Sequence, residues 1–548
     1  MIIALAQLNY HVGNFDRNTA AIIQAIHAAK DKGADLIVFA ELAIGGYPAK
    51  DLLRSPAFLD QCEAAVVEIA SHCQGIACVL GAPMRNTAAK GKPLHNVALF
   101  IDSGRVQRVV YKGLLPDYDV FDEYRYFEPA DAFGCILFQG KKIALTICED
   151  LWDISPDQLY RRGPMDMLRN EHPHLIINIA ASPFSYNHLN ERLDVLGNHA
   201  KDNSAPLLYL NNVGAHTDLI FDGRSIVYSP TGELVDLMPA FAEAVHLYEV
   251  DDNGSVVPLQ PANTNTQLQE TPLIHHALLC GIRDYFEKSG FNKAVVGLSG
   301  GLDSAVVAAL ACEALGADNV MAVLMPSQYS SDHSIVDAMG LVRNTGCHHE
   351  VVPIQPIAES FEQSLNGAFN RLAPNVTEEN IQARIRGTLL MAFSNKLGYI
   401  LLNTSNKSEA AVGYGTLYGD MAGSLSVIGD IYKTQVYHLA NYLNRNGEII
   451  PHNTIVKPPS AELRPDQKDS DSLPDYELLD AILFQYIENE KSAAQIVALG
   501  FDSALVHRVL QLVNRAEFKR FQAPPALRVS SKAFGAGRTM PLVGKFPL

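Results

Sequence analysis

Short apolar runs alternate with amphipathic stretches through the first half of the chain. Residues 2–8 and 36–39 have the pattern of buried strands, and residues 16–32 between them carry apolar side chains at helical spacing. Further apolar runs predict strands at residues 77–80, 97–101, 106–111, 143–147, 175–179, 207–210, 226–228 and 244–250. This many short strands, some close enough for hairpins and others separated by helices, predicts a mixed sheet system covered by helices.

The pattern changes after residue 250. Residues 251–270 lack strong periodicity and are rich in Asn, Thr and Pro, so we predict a linker there between a first domain, 1–250, and a second, 271–548. A predicted helix at 271–288 is followed by strands at 294–298, 320–324, 349–352 and 399–403, each separated by a helical stretch. This alternation predicts a doubly wound parallel sheet. Residues 475–520 are predicted to be helical, and the Gly-rich run 535–538 predicts a mobile end.

Composition narrows the class of protein. The 548 residues include 43 Lys and Arg against 60 Asp and Glu, a formal net charge of −17 that argues against general nucleic-acid binding. The 48% hydrophobic content excludes a disordered chain, and its length favours two domains. No signal peptide or membrane span is evident, and the eight cysteines are scattered as in a reduced protein. We expect a cytoplasmic protein that binds neither nucleic acid nor membrane.

A glycine-rich loop follows the first predicted strand of the second domain. It consists of Gly297, Leu298, Ser299, Gly300, Gly301, Leu302, Asp303 and Ser304. Two glycines allow a tight turn that points N–H groups at an anion, and the following helix N-terminus adds its dipole. A carboxylate beside a phosphate repels it unless a cation intervenes, so Asp303 indicates Mg²⁺ on a pyrophosphate. The alternative is an ordinary strand-to-helix turn with an Asp near the N-cap.

The loop resembles the S-G-G-x-D-S motif of ATP pyrophosphatases, which have an adenine nucleotide alpha hydrolase-like fold. The stretches 379–387, 403–409, 418–423, 458–465 and 518–520 resemble the NAD synthetase family within that class. The resemblance implies that residues 297–304, Thr404 and Lys433 bind ATP. It also implies that Asn380, Glu409 and Lys519 contact deamido-NAD, and that Asp303 and Glu409 hold Mg²⁺.

Three chemically useful residues follow predicted strands of the first domain. Cys148 comes directly after residues 143–147, Glu41 after 36–39 and Lys112 after 106–111. A cysteine nucleophile needs a base and a positive neighbour, and these side chains meet that need if they share a pocket. Taken singly, each has an ordinary explanation, because buried thiols are usually inert and charges are common at strand ends.

The blocks E-x-x-x-x-G-Y, K-x-x-L-P and C-E-D around these residues resemble the nitrilase, or carbon-nitrogen hydrolase, family over residues 1–250. The resemblance implies an αββα sandwich in which Glu41 is the general base, Cys148 the nucleophile and Lys112 the oxyanion-stabilising cation. Glu123 matches an additional glutamate of the family's pocket. In its amidotransferase branch, the glutamine-binding positions correspond to Tyr118, Ser182 and His188.

Together the two resemblances imply a glutamine-dependent member of the NAD synthetase family and a homo-oligomer. Glutamine would give ammonia in the first domain, and the ammonia would be channelled to the second. There ATP would adenylate deamido-NAD, which would be amidated to NAD with release of AMP and pyrophosphate. One alternative is an amidotransferase acting on another adenylated acid or a nucleotide base, which the match at Asn380, Glu409 and Lys519 disfavours. The other is a nucleotide-binding protein with a decayed amidase domain, which intact catalytic positions disfavour.

Overall fold

The computed structural model describes residues 1–154, 159–160, 163–267, 269–370, 372–464, 467, 469–471 and 473–546. It contains two compact units, Met1–Leu268 and Gln269–Leu548. Within the described residues, no helix combines the length and apolar character needed to cross a membrane.

The first unit contains fifteen described strands and four described α-helices. The strands are β1 (Ile2–Gln7), β2 (Leu36–Val38), β3 (Ala77–Arg85), β4 (Leu94–Asp102), β5 (Arg105–Tyr111), β6 (Ile136–Phe138), β7 (Lys141–Ile147), β8 (Leu175–Ala180), β9 (Leu207–Asn211), β10 (Val213–His216), β11 (Leu219–Asp222), β12 (Ile226–Tyr228), β13 (Leu234–Leu237), β14 (Ala244–Val250) and β15 (Val256–Pro258). The helices are α1 (Phe15–Asp31), α2 (Pro56–His72), α3 (Pro164–Leu168) and α4 (Leu189–Asn203).

The second unit contains five described strands and twelve described α-helices. The strands are β16 (Ala294–Gly297), β17 (Val320–Leu324), β18 (His348–Val351), β19 (Ile400–Asn403) and β20 (Leu425–Ser426). The helices are α5 (Glu270–Lys288), α6 (Leu302–Leu315), α7 (Asp332–Thr345), α8 (Gln355–Leu365), α9 (Val376–Leu397), α10 (Lys407–Val412), α11 (Lys433–Leu443), α12 (His452–Val456), α13 (Tyr476–Ile487), α14 (Ala493–Ala498), α15 (Ser503–Arg515) and α16 (Glu517–Arg520).

The first unit is built on two mixed sheets. One has the strand order β15-β14-β1-β2-β3-β4-β5 and the other β13-β12-β9-β8-β7-β6. Ile3 and Leu5 belong to the core that the two sheets share, whereas Ala4 and Ala6 belong to the core beneath α1 and α2. Successive side chains of a strand point to opposite faces, so both faces of β1 are buried, and its residues 2–6 are all apolar. This confirms the predicted αββα sandwich.

The predicted linker is partly a strand. Residues 256–258 form β15 and pair with β14, which itself pairs antiparallel with β1. The second unit then begins at Gln269, and α5 begins at Glu270. A strand of three residues is too short to show an alternating pattern. The prolines of residues 251–270 therefore led us to predict a linker without a strand.

The second unit has a parallel sheet of order β18-β17-β16-β19-β20. The chain starts in the middle with β16, adds β17 and β18 on one side, and then crosses to β19 on the other. In such doubly wound sheets, ligands bind outside the carboxyl ends of the strands at this reversal point. The loops after β16 and β19 are therefore the expected walls of a binding site, and the predicted doubly wound fold is confirmed.

The C-terminal tail differs from the mobile end that its glycines predict. Leu527 and Val529 are completely buried, and Ala526 forms an isolated bridge with Ser426 of β20. Further along, Arg538 pairs with Glu517, the two atoms Nη1 and Oε2 lying 3.4 Å apart. The tail is therefore packed against the unit before its glycines by Leu527 and Val529, and after them by the Arg538–Glu517 ion pair.

Candidate active sites

The structure brings the three predicted catalytic residues of the first unit together at strand ends from both sheets. Glu41 follows β2, Lys112 follows β5 and Cys148 follows β7, and all three side chains are buried. Cys148 has a φ of 45°, in the left-handed region, where the chain turns sharply from strand into a 3-10 turn. Strained backbone of this kind is concentrated at functional sites.

Lys112 is the centre of a buried ionic cluster. Its Nζ atom lies 2.7 Å from Oε1 of Glu41 and 2.7 Å from Oε2 of Glu123. Asn96 Nδ2 donates to Glu41 Oε1 at 2.7 Å, and the Tyr47 hydroxyl donates to Glu123 Oε1 at 3.1 Å. Burial alone lowers the pKa of Lys112, but the charges of Glu123 and Glu41 outweigh it and hold that pKa well above its ordinary value.

The backbone around Glu41 is fixed by close packing. The Ala181 N–H donates to the second carboxylate oxygen, Oε2, at 3.1 Å. A Cβ atom on Gly81 of β3 would lie 2.3 Å from the Ala40 carbonyl oxygen and 2.7 Å from Glu41 Cα. Only glycine allows the backbone of β3 to come this close, so β3 fixes the position of Glu41 at the end of β2.

Cys148 is a protonated thiol in this environment. Burial raises its pKa well above the ordinary value, and the Glu41 charge raises it further, while Lys112 opposes the rise. Asn178 Nδ2 donates to the Cys148 carbonyl oxygen at 3.3 Å and so helps to fix the turn. A thiol beside a carboxylate and an ammonium group can lose its proton to the carboxylate when it attacks a carbonyl carbon.

Asp150 joins the Cys148 turn to the segment after Lys112. Its Oδ1 accepts the N–H groups of Gly113 and Leu114, each at 2.9 Å, and its Oδ2 accepts the Ile147 N–H at 3.0 Å. The Asp150 carboxylate thus fixes the turn that carries Cys148 relative to the backbone that follows Lys112.

The loop after β16 is shaped for a phosphate group. Gly300 has a φ of +81°, and a Cβ atom there would lie 2.2 Å from the Ser334 carbonyl oxygen. The Ser299 and Ser304 hydroxyls are 3.1 Å apart, and Ser299 Oγ accepts the Gly301 N–H at 3.1 Å. The loop then enters α6, whose N-terminal N–H groups and dipole favour an anion.

Two carboxylates and an ammonium group gather beside this loop. Asp303 forms an ion pair with Lys433, and its Oδ1 accepts a hydrogen bond from Asn406 Nδ2 at 3.1 Å. Lys433 Nζ lies 4.0 Å from Oε1 of Glu409. Burial raises the pKa of Glu409 well above its ordinary value, and the nearby Asp303 charge adds to this. Two oxygen donors in mutual repulsion are a chemically suitable partial site for a hard divalent cation.

A cavity opens at the reversal point between β16 and β19. Gly297, Leu298, Ser299 and Thr404 line it, together with Arg386 and Asp420. The structure thus places Gly297, Leu298 and Ser299 of the predicted loop in one cavity with Thr404, whereas residues 300–304 are not part of its lining. Asp303, Glu409 and Lys433 are grouped beside the same loop.

Known proteins resemble the chain over almost all of its length. The carbon-nitrogen hydrolase family profile matches residues 2–255, and the NAD synthase profile matches residues 274–523. A glutamine-dependent NAD(+) synthetase from Synechocystis sp. is 43% identical over 551 aligned residues, which cover 99% of each chain. The chain belongs to the glutamine-dependent NAD(+) synthetase family.

Solved structures agree with this assignment. A glutamine-dependent NAD+ synthetase from Acinetobacter baumannii, in complex with adenosine diphosphate, is 38% identical with a TM-score of 0.78 and covers 99% of this chain and 98% of that one. A second, from Cytophaga hutchinsonii, has a TM-score of 0.82 over the same shares at 20% identity, and it shows the fold alone.

Tyr118, the first of the predicted glutamine-binding residues, is held by a residue next to Cys148. The Tyr118 hydroxyl donates to Glu149 Oε1 at 2.9 Å, and the Tyr160 hydroxyl donates to the same atom at 2.8 Å. Burial raises the pKa of Glu149. Glu149 directly follows Cys148, but it was not predicted as a site residue. Nothing in the sequence indicates that this charged side chain is buried.

Ser182 and His188 are held by different means. The Ser182 N–H donates to Asn211 Oδ1 at 2.8 Å, and the Ser182 carbonyl oxygen accepts from Asn211 Nδ2 at 3.1 Å. The His188 ring stacks on Trp152 with centroids 5.1 Å apart, and its Nδ1 lies 3.1 Å from Glu191 Oε2. His188 is the more exposed of the two.

The residues predicted to contact deamido-NAD share one neighbourhood. Asn380 of α9 accepts a hydrogen bond from the Thr416 hydroxyl at 2.7 Å. Lys519 Nζ donates to the Gly413 and Gly415 carbonyl oxygens at 2.8 and 2.7 Å. Both side chains therefore hold residues 413–416, the segment between Glu409 and Asp420.

Two further residues extend the nucleotide cavity. Arg386 Nε donates to the Met325 carbonyl oxygen, and burial lowers the pKa of Arg386 to about 10. Glu462 lines the opposite wall and accepts from the Ser331 hydroxyl at 2.8 Å. Arg386 belongs to the stretch 379–387 and Glu462 to the stretch 458–465, both of which resemble the NAD synthetase family. No sequence feature indicates that either residue lines the cavity, and only the fold shows it. Pro465, at the end of 458–465, lies outside the described residues.

Proposed function

We propose that the first unit hydrolyses glutamine to glutamate and ammonia. The buried Glu41–Lys112–Glu123 cluster beside Cys148 is the observation that carries this proposal. The Cys148 sulfur attacks the side-chain amide carbon while its proton passes to Glu41, and Lys112 stabilises the oxyanion. Glu41 returns the proton to the leaving nitrogen, which departs as ammonia. Water then hydrolyses the thioester and releases glutamate.

Tyr118, Ser182 and His188 bind glutamine in this proposal, and Glu149 recognises its α-ammonium group. Glu149 is buried, and its charge acts on the Cys148 thiol, so it lies near the reacting atoms. Two tyrosine hydroxyls hold it in place. A buried carboxylate with fixed orientation is the partner that an amino-acid cation requires in a dry pocket.

The second unit adenylates the carboxylate of deamido-NAD and converts it to the amide of NAD. The carboxylate oxygen attacks the α-phosphorus of ATP, pyrophosphate leaves, and ammonia then displaces AMP from the mixed anhydride. Residues 297–304 surround the phosphates, Thr404 and Lys433 contact ATP, and Asn380, Glu409 and Lys519 contact deamido-NAD. The loop geometry and the adjacent cation support these assignments.

Asp303 and Glu409 are the side chains that would hold Mg²⁺. Their oxygens suit it, and this ion commonly uses one or two carboxylates and completes its shell with phosphate oxygens and water. Within the described residues, no group of three or more His, Cys, Asp and Glu side chains is placed to hold a metal ion. When bound, Mg²⁺ neutralises charge on the phosphates.

The decisive experiment compares glutamine with ammonium as nitrogen donor, in the presence of ATP, Mg²⁺ and deamido-NAD. We expect NAD from both donors with the unaltered protein, and Cys148→Ala to abolish synthesis from glutamine while sparing synthesis from ammonium. Cys135→Ala, which removes another thiol of the same unit, serves as the matched control. Equal loss with both donors in Cys148→Ala would refute a two-site enzyme.

Synthesis of NAD from neither donor by the unaltered protein would instead favour an acceptor other than deamido-NAD. The nucleotide cavity and the Cys148 cluster are compatible with that alternative, but the arrangement of Asn380, Glu409 and Lys519 around residues 413–416 favours deamido-NAD. We also propose a cytoplasmic homo-oligomer, and light scattering of the purified protein measures the oligomeric state.

A further inference from the structure

The tail segment, which we define as residues 526–532, runs through the interior of the second unit. Its backbone joins the sheet edge, where the Leu527 N–H donates to the Ser426 carbonyl oxygen at 3.2 Å. Ser530 is only 1% exposed. A terminal segment buried to this degree has a larger role than covering the surface.

Lys407 binds the tail segment from the first residue of α10. Its Nζ atom lies 2.9 Å from Asp430 Oδ1 and 3.0 Å from Glu488 Oε1, and these side chains are at most 1% exposed. The same atom donates to Ser530 Oγ at 2.8 Å and to the Lys532 carbonyl oxygen at 2.9 Å. We call Lys407, Asp430, Glu488 and Ser530 the Lys407 cluster.

Asp430 completes the attachment. Its Oδ2 accepts the N–H groups of Val529 and Ser530 at 2.8 and 2.7 Å, and its Oδ1 accepts the Ser530 hydroxyl at 2.8 Å. Ser531 Oγ donates to the second oxygen of Glu488 at 2.7 Å. Each buried carboxylate is thus bound both by Lys407 and by the tail segment.

The cluster adjoins the two chain segments that carry the charged groups of the synthetase site. Lys407 is two residues before Glu409 on α10, and Asp430 is three residues before Lys433. The Lys407 N–H donates to the Ile431 carbonyl oxygen at 2.8 Å, and the Lys433 N–H donates to Ser408 Oγ at 2.9 Å. A shift of either segment therefore moves Glu409 relative to Lys433.

We infer that Lys407 is a positioning residue for amide synthesis, and that the tail segment is an integral support of the Glu409–Lys433 pair. This inference rests on the proposed function of the second unit. Removing a cation from two buried carboxylates leaves their charge uncompensated, and the surrounding segments then move apart. Catalytic geometry tolerates displacements of only about 1 Å before rates fall by roughly a hundredfold.

The test measures ammonium-driven NAD synthesis by Lys407→Met in the full chain. We expect the maximal rate to fall by roughly tenfold or more. The Mg²⁺ concentration for half-maximal rate should rise, because Glu409 is misplaced. Glutamine hydrolysis in the first unit should continue at the normal rate.

Lys288→Met is the matched control, because Lys288 forms a similarly buried ion pair with Asp284 at 3.0 Å in α5. The inference would be overturned if Lys407→Met lost thermal stability but had the same maximal rate and Mg²⁺ dependence as Lys288→Met. If Lys407→Met does not fold, Ser530→Ala, which keeps the Lys407–Asp430 pair, is judged by the same measurements. Absence of NAD from the unaltered protein would contradict the proposed function instead.

Discussion

Nζ of Lys112 lies 2.7 Å from Oε2 of Glu123, and neither side chain is more than 5% exposed. The pair therefore lies in a region where ionisation is strongly tied to folding. Burial raises the pKa of Glu123 from 4.5 to about 7, although the charge of Lys112 opposes the rise. The pKa of Glu123 therefore lies near neutral pH.

Glu123→Gln should change how the stability of the first unit depends on pH. The folded unit binds this proton more tightly than the unfolded chain, so the stability that Glu123 contributes is full below pH 4.5 and is lost as the pH rises through about 7. Glu123→Gln has no such stability to lose. Its free energy of unfolding relative to that of the unaltered protein should therefore increase as the pH rises from 4.5 through about 7. Urea unfolding followed by fluorescence of Trp152, the single tryptophan, measures it.

Glu68→Gln, at an exposed position of α2, provides the control for Glu123→Gln. Its pH dependence should follow that of the unaltered protein. Parallel curves for Glu123→Gln and the unaltered protein would show that Glu123 does not titrate between these limits.

Tyr118→Phe should weaken glutamine binding. It removes one of the two hydroxyl donors that orient Glu149, and a hydrogen bond to a charged group contributes roughly 1.5–3 kcal/mol. We expect the KM for glutamine to rise by about tenfold, with unchanged synthesis from ammonium. Steady-state kinetics with each donor measures both, and Tyr124→Phe, whose side chain is exposed, is the comparison. An unaltered KM in Tyr118→Phe would remove Tyr118 from the binding site.

Gly300→Ala should abolish synthesis from both donors while glutamine hydrolysis continues. The added Cβ would clash with the Ser334 carbonyl oxygen at 2.2 Å, and the loop must shift away from the phosphates. Gly346→Ala isolates the effect of backbone conformation, because Gly346 has a similar φ of +73° with no atom within 4 Å of the new Cβ. Equal activity of the two alanine variants would show that the loop does not set the rate.

Asp303→Asn should depress NAD synthesis from glutamine and from ammonium alike, by roughly a hundredfold. The substitution removes a charge that pairs with Lys433 and that raises the pKa of Glu409. Asp318→Asn, at an exposed position of the same unit, is the control. Full activity of Asp303→Asn would exclude a metal-binding role.

The sequence pattern predicted most long elements because their faces are buried in a regular way. β1, β8 and β14 are apolar runs at the predicted places. The pair β10 and β11 and the two-residue β20 were absent from the prediction. They are too short to show a period, and unlike the equally short β2 and β12 they are not made of apolar residues alone.

The active sites could be predicted only in part. Strand ends located Glu41, Lys112 and Cys148, because chemistry collects where strands meet loops. The Ala181 N–H that binds Glu41 is 140 residues away in sequence, and no local pattern joins the two. Lys407 was passed over for a related reason: its partners Asp430, Glu488 and Ser530 come from three distant segments, and only the folded chain brings them together.

The pairing of β1 with β14 has a consequence for protein synthesis. The strand that starts the chain remains without this partner until residues 244–250 have left the ribosome. A nascent chain therefore lacks the completed sheet on which Glu41 depends, even though Cys148 has long been translated. We therefore expect no glutamine hydrolysis from chains that end before β14 is complete.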